Sequence, residues 1–183
     1  MTSVGGVAPA DVIAFWREAG PEKWFRKDAD FDRAIAERFG AVHAEAAAGR
    51  LQDWAATPDG VLALIIVLDQ FSRNMFRNRP EAFAQDELAS ATARNAIDAG
   101  FDMAVGRDLR SFFYTPLMHS EAIADQERSV LLYHALAPDY LRYALEHEEI
   151  IRRFGRFPHR NPILGRYMTP AEQAFIDGGG FGG

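Results

Sequence analysis

Eight consecutive apolar residues, Val61 to Leu68, run directly into Asp69, Gln70, Arg73, Asn74, Arg77, Asn78 and Arg79. A helix that is apolar on every side has to be buried, so this one is expected to carry a polar cluster to the edge of the interior. Charges placed there are costly unless paired or used. The segment marks a candidate site without spelling out a reaction.

At 183 residues, 48% apolar and 25% charged, the chain has the size and composition of one soluble domain. Its longest apolar run is the eight residues above, against the roughly 20 needed to cross a bilayer, so no membrane association is expected. The start, MTSVGGVAPADV, lacks the basic and apolar regions of a secretion signal. Cysteine is absent, which removes disulfides, thiolate zinc sites and cysteine nucleophiles. A cytoplasmic location fits these features.

The formal net charge of −6 argues against a general nucleic-acid binder. Its distribution is uneven. Residues 70–80 hold Arg73, Arg77 and Arg79 without an acid, and residues 152–166 hold Arg152, Arg153, Arg156, Arg160 and Arg166, again without one. Arginine gives planar, bidentate recognition of carboxylate or phosphate.

The punctuation reads as all helix. Pro9, Pro58, Pro80, Pro116, Pro138 and Pro170 fall where helices should start, since the missing N–H costs nothing there. Thr57, Thr115 and Thr169 precede three of them as N-cap candidates, and Thr169 to Glu172 has the capping-box pattern. Gly20, Gly49, Gly100 and Gly155 sit at expected helix ends. Phe31, Ile35, Phe39, Val42 and Ala46 form one stripe of helical period, and Tyr140, Tyr143, His147, Ile150 and Phe154 a second. No sustained alternation suggests a sheet. Helices are predicted near 9–19, 29–48, 58–77, 81–99, 107–113, 116–136, 138–154 and 169–177. These form a single all-α domain over 9–177, between a flexible start (1–8) and a flexible glycine-rich tail (178–183). Antiparallel helical hairpins are expected, without a regular sequence repeat.

The segments VIAFWREAG, WFRKDADFD, LDQFSRNMFRNRPEAFAQD, FFYTPLMHSE and RFGRFPHRNPILGRYMTPAE resemble the bacterial family catalogued as domain of unknown function 924. The resemblance extends from about Asp11 to Asp177. It implies a tetratricopeptide-like all-helical fold and no known activity. Met168 departs from the serine usual in the family before the Thr-Pro pair, which touches only a capping detail.

Three constellations could carry chemistry. Asp69 and Arg73 share a helix face, as do Gln70 and Asn74. They are either an internal lock on the helix end or, with Arg77, part of an anion site. Arg73 and Arg77 are like charges four apart and call for something negative nearby, a ligand or a protein acid such as Glu121. The loop from Arg153 to Arg166 presents His159, Arg160 and Asn161 in succession, as donors for a ligand or as staples for its own carbonyls. If Arg156, His159 and Arg160 meet the end of the 58–77 helix, a positive pocket results, in which an anion or several acids become necessary. In the third, Pro116 is expected to open a helix that places His119 in the first turn, where a neutral acid–base role suits it, with Glu121 nearby. The alternative is that both are ordinary helix-start residues.

Metal binding is not expected. His43, His119, His134, His147 and His159 include no pair spaced i,i+4 on one helix, and no HExxH or Glu-x-x-His motif occurs. No cofactor-binding motif is present. The candidate ligand-binding set is Asp69, Arg73, Asn74, Arg77, Arg156, His159, Arg160 and Asn161, with His119 and Glu121 as candidate catalytic groups. The small-molecule reading is a site for a phosphate- or carboxylate-bearing ligand. The alternative is an interaction scaffold whose arginines clamp an acidic peptide. Whether the chain is an enzyme is left open by the sequence.

Overall fold

Side-chain chemistry sets the helix ends. In the computed structural model, which describes residues 2–136 and 138–182, α1 (Pro9–Ala19) opens on a proline, and Asp11 accepts the Ala8 N–H at 2.8 Å. The short α2 (Pro21–Trp24) follows at once. Asp28 caps α3 (Ala29–Ala47) through the N–H groups of Asp30 and Phe31. Thr57 caps α4 (Pro58–Ile65), which continues as a π-helical segment, Ile66–Phe71, and then as α5 (Ser72–Met75). Then come α6 (Asp86–Asp98), α7 (Arg107–His119), α8 (Ile123–Leu136), α9 (Pro138–Phe154) and α10 (Pro170–Asp177). The Thr169–Glu172 capping box of α10 forms as its pattern implies. Among the described residues the secondary structure is helical apart from one isolated bridge, Val4 with Val7.

The fold is all-helical. α4 lies at its centre, touching α1, α6 and α7. Every residue from Val61 to Leu68 is at most 5% exposed, as an apolar run with no polar face requires. Around it, Trp16 packs edge-on against Phe71 and Phe112, with centroids 5.7 and 5.5 Å away. The α3 stripe Phe31, Ile35, Phe39, Val42 and Ala46 is buried throughout. On α9 the buried face instead runs through Ala144, His147, Ile150 and Ile151, and Tyr143 is exposed. α7, α8 and α9 pack successively on one another across short connections, an arrangement compatible with helical hairpins. A smaller apolar cluster of Ile150, Ile151 and Phe157, with Phe154, Phe175 and Phe181 against it, anchors the C-terminal loop.

Two expected boundaries are corrected. Pro116 does not open a helix: it lies inside α7, which ends at His119. An internal proline costs about 3 kcal/mol, but Phe112, Phe113, Tyr114, Thr115, Pro116 and Leu117 are all buried. Each large apolar side chain buried contributes about 1.5–3 kcal/mol, so packing outweighs the break. Thr115 is accordingly no N-cap; its hydroxyl donates back to the Ser111 carbonyl at 3.0 Å. The helix predicted from residue 81 begins at Asp86, after a 3₁₀ turn at Pro80–Ala82. That turn brings Phe83 under the Arg160 guanidinium, 4.7 Å from its ring centroid.

Candidate functional site

The polar cluster forms where the buried helix changes pitch. π-Helical turns insert an extra residue and occur often at functional sites. Here the widened turn spans Ile66–Phe71 and carries Asp69 and Gln70, both buried. Asp69 is 1% exposed and fully engaged. His119 Nδ1 lies 2.8 Å from its Oδ1, Arg73 Nη1 lies 2.9 Å from the same oxygen, and Gln70 Nε2 donates to Oδ2 at 2.5 Å. Burial pushes the Asp69 carboxyl up, but Arg73 and His119 overrule it and hold the group well below the usual carboxylate range.

An ionised Asp69 makes His119 the donor through Nδ1–H and leaves the Nε2 lone pair without a hydrogen-bond partner among the described residues. Burial and the charge of Arg73 depress the basicity of His119 below that of a free imidazole, against the pull of Asp69. The neutral character expected of His119 therefore has a different origin. The residue sits in the last turn of α7, so the free N–H groups of a helix start play no part.

The two arginine segments meet over one carboxylate. Asp86, the first residue of α6, accepts from Arg73 Nη2 at 3.1 Å and from Arg160 Nη1 at 3.0 Å, both on Oδ2. Arg160 Nη2 also donates to the His119 carbonyl at 3.0 Å. Its guanidinium lies between the rings of Phe83 and Phe157, 4.7 and 4.4 Å from their centroids. Burial lowers its pKa to about 10 despite the pull of Asp86. Arg73, which is partly exposed, is instead raised, because Asp69 and Asp86 together outweigh its desolvation. Two arginines and two aspartates thus balance beside a neutral histidine, and the negative partner anticipated among these arginines is supplied by the protein.

The remaining candidates are placed elsewhere. Asn74 and Arg77 both bind Asp32 of α3, at 2.8 Å from Asn74 Nδ2 and 2.9 Å from Arg77 Nη2, and the Asn74 amide donates there rather than to Gln70. Arg156 donates to both oxygens of Glu172, at 2.6 and 2.8 Å, and to the Tyr167 carbonyl. Glu121 lies in the connection between α7 and α8. It receives Arg166 at 2.8 and 3.0 Å and the Phe157 N–H at 2.8 Å, and does not pair with Arg73 or Arg77. His159 packs against Phe157 and Phe181, with Nδ1 buried and unpartnered, and burial takes its pKa to about 3. Asn161 is wholly buried and donates to the Met168 sulfur at 3.5 Å. His43 is a satisfied core residue, its Nε2 2.8 Å from the Ser72 hydroxyl.

Asp86 and His147 are the members that sequence reasoning missed. Nothing in the spacing separates Asp86 from its acidic neighbours Glu81 and Glu87; only its place at the start of α6 does. His147 lies on a predicted apolar stripe. Its ring centroid is 6.2 Å from that of His119, and its Nδ1 bonds the Tyr143 carbonyl at 2.7 Å. No group of three or more metal-ligating side chains is assembled among the described residues. No helix among them is long and apolar enough to cross a membrane.

The family model described as a bacterial protein of unknown function (DUF924) matches residues 12–180. A solved structure of a protein of unknown function from Agrobacterium tumefaciens is similar over 93% of this chain and 97% of its own, with 47% sequence identity and a TM-score of 0.90. No curated protein matches the chain. With nearly its whole length matched, the chain belongs to the bacterial DUF924 family.

Proposed function

We propose that this protein binds a small anionic metabolite, carboxylate- or phosphate-bearing, at the Arg73–Arg160 pair, with His119 Nε2 facing the ligand as a proton acceptor. The observation that carries this reading is the Asp69–His119 hydrogen bond of 2.8 Å, flanked by the buried Arg160 and the partly buried Arg73. A carboxylate on Nδ1 fixes the ring and its tautomer and stabilises the imidazolium formed when Nε2 takes a proton. The planar guanidinium of Arg160, fixed between two rings, is suited to a flat or tetrahedral anion. The proposed setting is the cytoplasm, with no nucleic-acid or membrane partner and no cofactor.

The test is thermal denaturation in inorganic phosphate and in succinate, against sodium chloride of equal ionic strength. The wild-type protein is expected to melt higher with at least one of the two anions, and Arg160→Lys, which keeps the charge but loses the fork, to lose that gain. His119→Gln is expected to retain it, since the binding charges remain. Equal melting shifts in wild type and Arg160→Lys, or none in either, would sink the proposal.

A further inference from the structure

A guanidinium whose donors are already taken accepts an outside anion only by exchange. Arg73 spends Nη1 on Asp69 and Nη2 on Asp86; Arg160 spends Nη1 on Asp86 and Nη2 on the His119 carbonyl. Among the described residues the Nε of neither arginine makes a hydrogen bond, and that of Arg160 is buried without a partner. An arginine 94% hidden with an unmatched N–H is not saturated by its present partners.

The two acids are not equally replaceable. Asp69 sits on the π-helical segment, its side chain 1% exposed, and its departure would orphan donors from His119, Gln70 and Arg73 together. Among the described residues Asp86 has only the two arginines as side-chain partners, and its side chain is 15% exposed. Its Oδ1 lies 3.0 Å from Arg73 Nη1 yet makes no well-formed hydrogen bond. It also follows the irregular stretch 76–85, in which Asn78 holds a left-handed φ of 59° and only a three-residue 3₁₀ turn intervenes. A carboxylate loosely held at the end of such a stretch can withdraw without unravelling a long helix.

We infer that the Asp86 carboxylate occupies the seat of the ligand's own carboxylate, so that a small carboxylic acid binds by exchanging with it. This rests on the anion-site reading above and narrows it. With Asp86 in place the two arginines and two aspartates balance. A monoanionic carboxylate arriving as Asp86 leaves restores that balance, whereas a phosphate dianion leaves an excess negative charge beside Asp69. The replaced group is also planar and shared between two guanidinium forks, a geometry that a second carboxylate reproduces. An internal occupant weakens apparent affinity by the fraction of molecules whose seat is vacant.

The experiment titrates acetate, succinate and inorganic phosphate into wild type and Asp86→Asn, a neutral replacement of nearly the same shape, by calorimetry at constant ionic strength. Acetate, the monoanion, is expected to bind Asp86→Asn about tenfold more tightly than wild type, and more tightly than phosphate does. Affinities within about twofold of each other would overturn the exchange while leaving the anion site standing. Preference for phosphate in both proteins would overturn the carboxylate assignment alone. Absence of binding in both would remove the anion site itself. A wild-type measurement covers the case in which Asp86→Asn fails to fold. Saturating acetate is expected to speed amide hydrogen exchange over residues 76–86 as Asp86 is released, and unchanged or slower exchange there would refute the idea.

Discussion

Arg160 and Arg166 leave the same loop six residues apart and end in opposite circumstances. Arg166 closes one-to-one on Glu121 through two hydrogen bonds, with both side chains about a quarter exposed and the Phe157 carbonyl as a third contact. Arg160 is buried, pressed between two rings, and shares its acid with an arginine from another helix. The first pair holds the loop against the connection between α7 and α8. The second leaves one carboxylate divided between two cations, while a buried Nε–H without a partner is common to both arginines. Closed pairs act as latches, while divided ones keep the capacity to change partners.

The sharpest way to break this contrast is Arg160→Ala. Removing one partner of a buried pair costs about 3–5 kcal/mol. Because burial already lowers the pKa of Arg160 to about 10, the loss is expected near the lower end, and Arg160→Met, which refills the space between Phe83 and Phe157, should recover part of it. Urea-unfolding midpoints of both variants check this. A loss under about 1 kcal/mol for Arg160→Ala, the range of exposed pairs, would place Arg160 in the same class as Arg166.

The next effect is one of pH. Burial takes His147 to about 3, whereas the unfolded chain protonates it near 6.5. Its contribution is thus fully present above that value and is lost as pH falls towards 3. In the lower part of this window the slope is about 1.4 kcal/mol per pH unit for a single histidine. His147→Gln is expected to reduce the acid sensitivity of the unfolding free energy by that amount. An unchanged slope would mean that the folded protein protonates His147 readily. Glu121→Gln comes third. It leaves Arg166 and the Phe157 N–H poorly matched, at about 1–3 kcal/mol for a lost charged partner, nearer the lower figure because the pair is partly solvated. Smallest is Arg152→Ala, whose side chain is half exposed in its pairs with Glu127 and Glu148, so that solvent screens both and little loss is expected. Equal losses from Glu121→Gln and Arg152→Ala would erase the distinction between latch and surface pair.

Much of the fold was legible in local chemistry. The Val61–Leu68 run, the α3 stripe, the Thr57 and Thr169 caps and the closing glycines all act through neighbours within a turn or two. Gly155 is an example: its φ of 69° ends α9 and turns the chain into the arginine loop. Pro116 shows where such rules stop. Its position reads as a helix start, but burial of the residues around it, which only the tertiary structure supplies, keeps the helix continuous. The site divides in the same way. Asp69 with Arg73 is a spacing that the sequence displays. The approach of Arg160, 87 residues beyond Arg73, and the choice of Asp86 among nearby acids depend on how α6 and the C-terminal loop are docked.

The widened turn at Ile66–Phe71 makes the cluster sensitive to chain length in a way that few parts of the molecule are. Excising a single residue from it would restore ordinary α-helical pitch, about 100° per residue, and leave the flanking turns facing nearly as they do now, because the wider turn exists to absorb the extra residue. Arg73 would keep its wall, while Asp69 and Gln70 would lose the placement the wider pitch gives them. A shortened protein would then retain its core and its guanidinium groups but not the carboxylate that holds His119.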